Sequence, residues 1–171
     1  RRQRQMCIRD RQVYTVYGSG DVKVTSTLKP GANLPMIPEV GNMMTIPKEF
    51  DNVTWYGKGP DENYIDRQTG YDVGVYKKTV DEFFVDYIKP QETGNRTGVR
   101  WVSLTNDQGV GLLAKAEGEM EFNALFYTPE QLSNYLHSYM LPEGQDITLR
   151  LNHRQMGLGL SLIHISEPTR H

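Results

Sequence analysis

The densest polar segment is Tyr56-Gly57-Lys58-Gly59-Pro60-Asp61-Glu62-Asn63-Tyr64-Ile65-Asp66-Arg67. Asp61, Asn63 and Asp66 offer oxygens to a calcium ion, yet the spacing and terminal Glu of a calcium loop are missing. The competing reading is a rigid Gly-Pro turn whose carboxylates cap backbone amides and pair with Arg67. A second polar loop, Pro90-Gln91-Glu92-Thr93-Gly94-Asn95-Arg96, supplies Glu92. Glu62 and Glu92 could form a glycosidase pair, which needs carboxyl groups roughly 5 to 9 Å apart. Spacing along the chain does not set that distance, and two Glu in separate loops is a common coincidence. Tyr56, Tyr64 and Trp101, with Trp55, could stack on the apolar face of a sugar, against the default of core packing for strand aromatics. His153 is solitary and reads as a polar strand-end residue. Gly157-Leu158-Gly159 lacks the third Gly and the following helix of a dinucleotide loop. Asn52-Val53-Thr54 and Asn95-Arg96-Thr97 match the glycosylation pattern, which has meaning only on a secretory route.

The two ends differ from everything between them. Residues 1–11 carry five Arg, and read as protein they would be a basic arm for nucleic acid or anionic lipid. They resemble instead a translated transposase adapter of the kind used in DNA library preparation. Residues 160–171, beginning Leu160-Ser161-Leu162-Ile163-His164, resemble the matching adapter. Both ends are expected to be scars and are excluded from fold reasoning. They hold six Arg and two acids, so the body from 12 to 159 has a formal net charge of −6, against −2 for the whole chain. An acidic body argues against nucleic-acid and anionic-membrane partners. It contains no cysteine and two histidines, His137 and His153, so no disulfide framework or structural zinc set is expected. No run approaches 18 apolar residues, and no apolar leader is visible. The compartment stays open, with the cytoplasm preferred to the periplasm.

Strand periodicity must therefore position these residues. Residues 12–17 and 21–28 read as a hairpin across Gly18-Ser19-Gly20, with Val22 and Val24 on one face of a half-buried strand. Further strands are expected at 40–46, 52–57, 71–80, 99–105, 109–116, 119–127 and 146–152. Asn106-Asp107-Gln108 is a hairpin turn. Ile147, Leu149 and Leu151 alternate with Thr148, Arg150 and Asn152. One short helix is expected near 129–139: Thr128 caps it, Pro129 opens it, and Leu132, Tyr135, Leu136 and Tyr139 share a face. The fold class expected is all-β, an antiparallel β-sandwich.

The string from Phe50 to Arg67 adds a resemblance. Trp55-Tyr56-Gly57-Lys58-Gly59-Pro60-Asp61-Glu62-Asn63-Tyr64-Ile65-Asp66-Arg67 resembles the pattern W-x-G-x-G-P-x-E-N-Y-x-D-R in the C-terminal domain of the large bacterial β-galactosidases of glycoside hydrolase family 2. Matches follow in order: Tyr87 to Glu92, Gly94 to Arg96, Val99 to Trp101, Phe122 to Ala124, Tyr127 to Leu132, and Arg154 to Gly159. The resemblance covers 34–159 well and 12–33 loosely. It implies a galactose-mutarotase-like supersandwich. For the intact enzyme it implies retaining hydrolysis of terminal β-D-galactose from lactose-type substrates, magnesium and sodium, and a homo-oligomer. The catalytic glutamates and metal sites of that family lie in an upstream barrel, so no catalytic, cofactor-binding or metal residue is carried onto this chain. The implied partners are the β-galactoside and the remaining domains. A family loop beyond the M-G-x-G motif places a Trp on the sugar, and this chain is expected to stop short of it. Strands without neighbours expose unpaired edges, so the product alone is expected to be marginal or aggregation-prone. A free-standing carbohydrate-binding sandwich using Tyr56, Tyr64 or Trp101 is the alternative.

Overall fold

The computed structural model describes residues 9–31 and 37–157, and the period-two pattern becomes strands along most of that length. The fold is all-β, with two antiparallel sheets and one short α-helix, consistent with a β-sandwich. Within 12–159, expected as one body, the chain divides after Ile37 into two compact units. Residues 160–171 lie outside the described residues.

The first unit is the expected hairpin, β1 (Arg9–Val16) and β2 (Val22–Lys29). Its turn is closed by the Tyr17 N–H on the Asp21 carbonyl at 2.9 Å, and Gly20 takes φ 94°, a conformation glycine adopts without strain. Arg9, Asp10 and Arg11 pair with Lys29, Leu28 and Thr27. Backbone pairing is indifferent to side-chain identity, so the strand runs across the boundary drawn at residue 11. Tyr14 pairs with Val24 and Val16 with Val22, which puts these apolar groups on one face. That face was expected to be half-buried, and all four residues are exposed. A two-stranded ribbon contains no second layer to cover it.

The second unit is a six-stranded sheet in the order β3-β8-β7-β6-β4-β5. The strands are β3 (Glu39–Ile46), β4 (Asn52–Gly59), β5 (Asp72–Thr79), β6 (Arg96–Thr105), β7 (Gly111–Leu125) and β8 (Ile147–Gln155). The two strands expected at 109–116 and 119–127 are one, β7. Gly118 at φ 125° lets the chain bend there without ending, and β6 opposite it shifts register twice. The turn between β6 and β7 forms as expected, with the Asn106 side chain accepting from the Gln108 and Val110 N–H groups at 3.0 Å each.

Paired residues share a face, so Trp55 lies beside Tyr76 and Val102, Val53 beside Leu104, and Ala124 beside Leu149. Trp55 is fully buried, with the rings of Tyr76, Phe83 and Phe122 at 5.5, 5.4 and 5.9 Å. Phe83 reaches this core from a 3-10 turn, Val80–Phe83, which Thr79 and Glu82 cap reciprocally.

The helix α1 (Pro129–Asn134) is shorter than expected. Thr128 and Gln131 form its capping box, and Leu132 is buried. Tyr135 is already extended (φ −106°, ψ 146°), and Leu136 and Tyr139 are 66% and 80% exposed. One buried apolar residue cannot support a further turn, because short helices depend on a packed face.

Candidate functional site

The polar segment after β4 follows a cis peptide at Gly59-Pro60 and turns back onto residues 87–97. Glu62 is its centre and is buried. One oxygen accepts from the Gly94 N–H at 2.8 Å and the Thr93 hydroxyl at 3.1 Å. The other accepts from Arg67 and from the Tyr87 hydroxyl. Burial pushes the Glu62 carboxyl up, but Tyr87, the Gly94 N–H and Arg67 together pull it below the ordinary carboxylate value. The anion is thus fixed by four donors and leaves no lone-pair direction open to a substrate.

Asn63 and Asn95 knit the same two segments. The Asn63 N–H donates to the Asn95 carbonyl at 2.9 Å, and the Asn95 amide returns a bond to the Asn63 carbonyl at 3.1 Å. The Asn63 side-chain oxygen accepts from the Thr97 N–H at 2.8 Å and the Thr97 hydroxyl at 2.6 Å. Arg96 is 1% exposed; it donates to the Pro60, Gly94 and Asn95 carbonyls, and its guanidinium lies 4.5 Å from the Phe83 ring centre. A buried cation is tolerable when every N–H finds a carbonyl or an aromatic face. The whole arrangement is a polar staple that joins residues 60–67 to residues 87–97.

Glu92 sits beside a second buried cation. Arg150 has a side chain 5% exposed; it bridges Glu39 on β3 and Glu92, and the Asn123 amide also donates to Glu92 at 3.0 Å. Burial raises the Glu92 carboxyl above its ordinary value, against the pull of Arg150. Glu62 and Glu92 are therefore each committed to separate structural partners. The calcium oxygens are not free as a set either: Asp61 pairs with Lys78 at 2.9 Å and Asn63 is used by Thr97, while the buried Asp66 carboxylate lies against Gly157 with neither oxygen hydrogen-bonded.

The three aromatic candidates separate. Tyr64 was expected among sugar-facing residues; it is fully buried, its ring lies under the Arg67 guanidinium at 4.8 Å, and burial raises its hydroxyl pKa. It presents no face to a ligand. Tyr56 and Trp101 are register partners on β4 and β6, so they share a face of the sheet. Val75 pairs with Tyr56 on its other side, and Lys115 pairs with Trp101. Tyr56 is 38% and Val75 64% exposed, and the Arg100 guanidinium lies 5.5 Å from the Tyr56 ring centre. This row sets the exposed Tyr56 beside the half-buried Trp101 on one face of the sheet. Two surface clefts of about 340 Å³ lie elsewhere, one beside Glu39 and Arg150 and one beside Lys48 and Asp107.

Sequence reasoning missed the buried cations Arg96 and Arg150. Arg150 was assigned to the polar face of an alternating strand, yet Thr148, Arg150 and Asn152 are buried as well as Ile147 and Leu149. Alternation distinguishes faces and does not reveal that both are covered.

Comparison with known proteins places these residues in context. The family described as beta galactosidase small chain matches residues 3–168. A protein named beta-galactosidase from Priestia megaterium is 47% identical over 146 residues, which is 85% of this chain and 14% of that protein. Proteins of the same name from Halalkalibacterium halodurans and Streptococcus thermophilus are each 35% identical, over 150 and 147 residues. Both alignments cover 85% of this chain, and they cover 15% and 14% of those proteins. The chain thus spans a small part of the length of the relatives it matches.

Proposed function

The chain belongs to the beta galactosidase small-chain family, and from that premise we propose that it is a non-catalytic piece of a β-galactosidase. In this reading the intact enzyme hydrolyses terminal β-D-galactose from lactose-type substrates with retention, as a glycoside hydrolase of family 2. The glutamates that break the bond, and the magnesium and sodium that serve them, belong to the rest of that enzyme. This piece supports the substrate site and packs against the remaining domains, in an assembly that is a homo-oligomer.

One observation carries the reading. Glu62, the carboxylate in the motif that defines the resemblance, is buried and fully occupied by four donors from the protein. A general acid or nucleophile needs an open approach to the glycosidic oxygen or anomeric carbon. The motif serves architecture, and the chemistry must come from elsewhere. The purified 171-residue chain is expected to release no chromophore from a chromogenic β-galactoside. Hydrolysis by the chain alone, lost in Glu62→Gln, overturns this.

A second reading is favoured by the row of exposed Tyr56 and half-buried Trp101: a carbohydrate-binding module in which an apolar sugar face stacks on these rings. Trp55, the other tryptophan, is fully buried, so fluorescence changes report on Trp101. A saturable, galactoside-specific response that is lost in Tyr56→Ala, which keeps the Trp101 reporter, supports this reading. A flat titration removes it.

A further inference from the structure

The six-stranded sheet ends on β5, which pairs with β4 on one side, and among the described residues no strand meets its other edge. The β4–β5 ladder runs without a register shift from Asp72 to Thr79, so the open edge is regular along its length. Val73, Val75 and Lys77 point to one face of the sheet, and Asp72, Gly74, Tyr76 and Lys78 to the other. Asp72, Val73, Val75 and Lys77 are exposed.

Lysines commonly blunt an open edge, because a second copy then brings like charge to like. Charge placement separates β5 from the other edges. Strand β3 has a register break between Val40 and Gly41, and Glu39 is its sole charged residue. In the hairpin, β2 carries Lys23 and Lys29 with no acid, and β1 gathers Arg9, Asp10 and Arg11 at one end. Of these four edges, β5 alone carries opposite charges near its two ends and on one face, Asp72 and Lys78. Such a strand is complementary to itself when a second copy runs antiparallel.

We propose that two copies of the chain pair through β5, antiparallel about a two-fold axis at Val75. Asp72 then faces Lys78 of the second copy at both ends, Val73 faces Lys77, and Gly74 faces Tyr76. The glycine leaves room there, since the Tyr76 ring already fills the space over Gly59 and Gly74 of its own copy. Lys78 also holds Asp61 at 2.9 Å, and its three N–H groups serve both carboxylates. A slip of one residue sets the Val75 face against the Tyr76 face, and a slip of two parts Asp72 from Lys78. Directly opposed unlike charges stabilise an antiparallel pair. On the outer face Val75 meets its counterpart, so the Tyr56 and Val75 rows of both copies join into one apolar band. The contact lies wholly within residues 72–78 and needs no other part of an intact enzyme.

Sedimentation velocity of the 171-residue chain across a concentration series tests this. The wild-type chain is expected to approach twice the mass of one copy and to stop there, because an isologous contact uses the same edge on both copies. Asp72→Lys opposes two ammonium groups at each end, and Lys78→Asp opposes two carboxylates, so each variant alone is expected to stay at the mass of one copy. An equimolar mixture of the two restores both opposite-charge pairs and is expected to dimerise. A wild-type chain that stays at the mass of one copy overturns the proposal without recourse to any variant. Growth beyond two copies overturns it, as does a dimer that survives either substitution or a mixture of the folded variants that stays monomeric. Should a charge variant unfold, Val75→Lys replaces it, since it sets lysine against lysine at the axis from an exposed position. A dimer that survives Val75→Lys also overturns the proposal.

Discussion

Glu62 shows how a residue that looks reactive becomes structural. Four donors hold its anion, and they keep its pKa below the ordinary value of 4.5 despite burial. A carboxyl lowered in the folded state adds stability above its unfolded pKa, and that stability is lost as pH falls through the folded value. Glu92 and Glu121, raised by burial, work in the opposite direction: their contribution diminishes as pH climbs from 4.5 through their folded values. Glu62→Gln is therefore expected to cost about 1–3 kcal/mol at neutral pH and to flatten the acid limb of the stability profile below 4.5. Urea unfolding across the acid range measures both effects. An unchanged acid limb would show that Glu62 does not carry the pH dependence. None of this was legible from the segment itself, because Gly94, Thr93 and Tyr87 lie 25 to 32 residues further along the chain.

Local structure was easier to read where its cause is local. The Gly18-Ser19-Gly20 and Asn106-Asp107-Gln108 turns and the Thr128 cap depend on side chains within a few residues, and all three formed where expected. The helix stop did not follow from its own residues, because it depends on what Leu136 and Tyr139 could pack against. The joined strand β7 depends on Gly118 keeping the chain extended at positive φ, which composition alone reads as a break. The cap supplies a prediction at this scale. Thr128→Ala removes the acceptor for the Gln131 N–H and is expected to destabilise the chain by about 1 kcal/mol. Thr128→Asn should retain most of that stability. Equal loss in both variants would mean that the hydroxyl is not the operative cap.

For the whole molecule, the exposed surfaces matter most. Strands β3 and β5 are the two edges of the six-stranded sheet, and beside the β5 edge Val75 and Tyr56 form an exposed apolar row. Unpaired strand edges next to apolar faces template self-association. Val75→Lys is expected to reduce light scattering of the purified chain while changing stability by less than about 0.5 kcal/mol. Scattering unaffected by that change would place the sticky surface elsewhere. The same surfaces suit a piece designed to be covered by the rest of a larger enzyme, which is the central claim. The most direct test is to read the source gene across both ends of residues 12–159. The account predicts an open frame that continues upstream into a barrel carrying two catalytic glutamates and downstream into an aromatic loop. A gene that starts at Arg1 and stops after His171 would contradict it, and would make a free-standing binding module the better description.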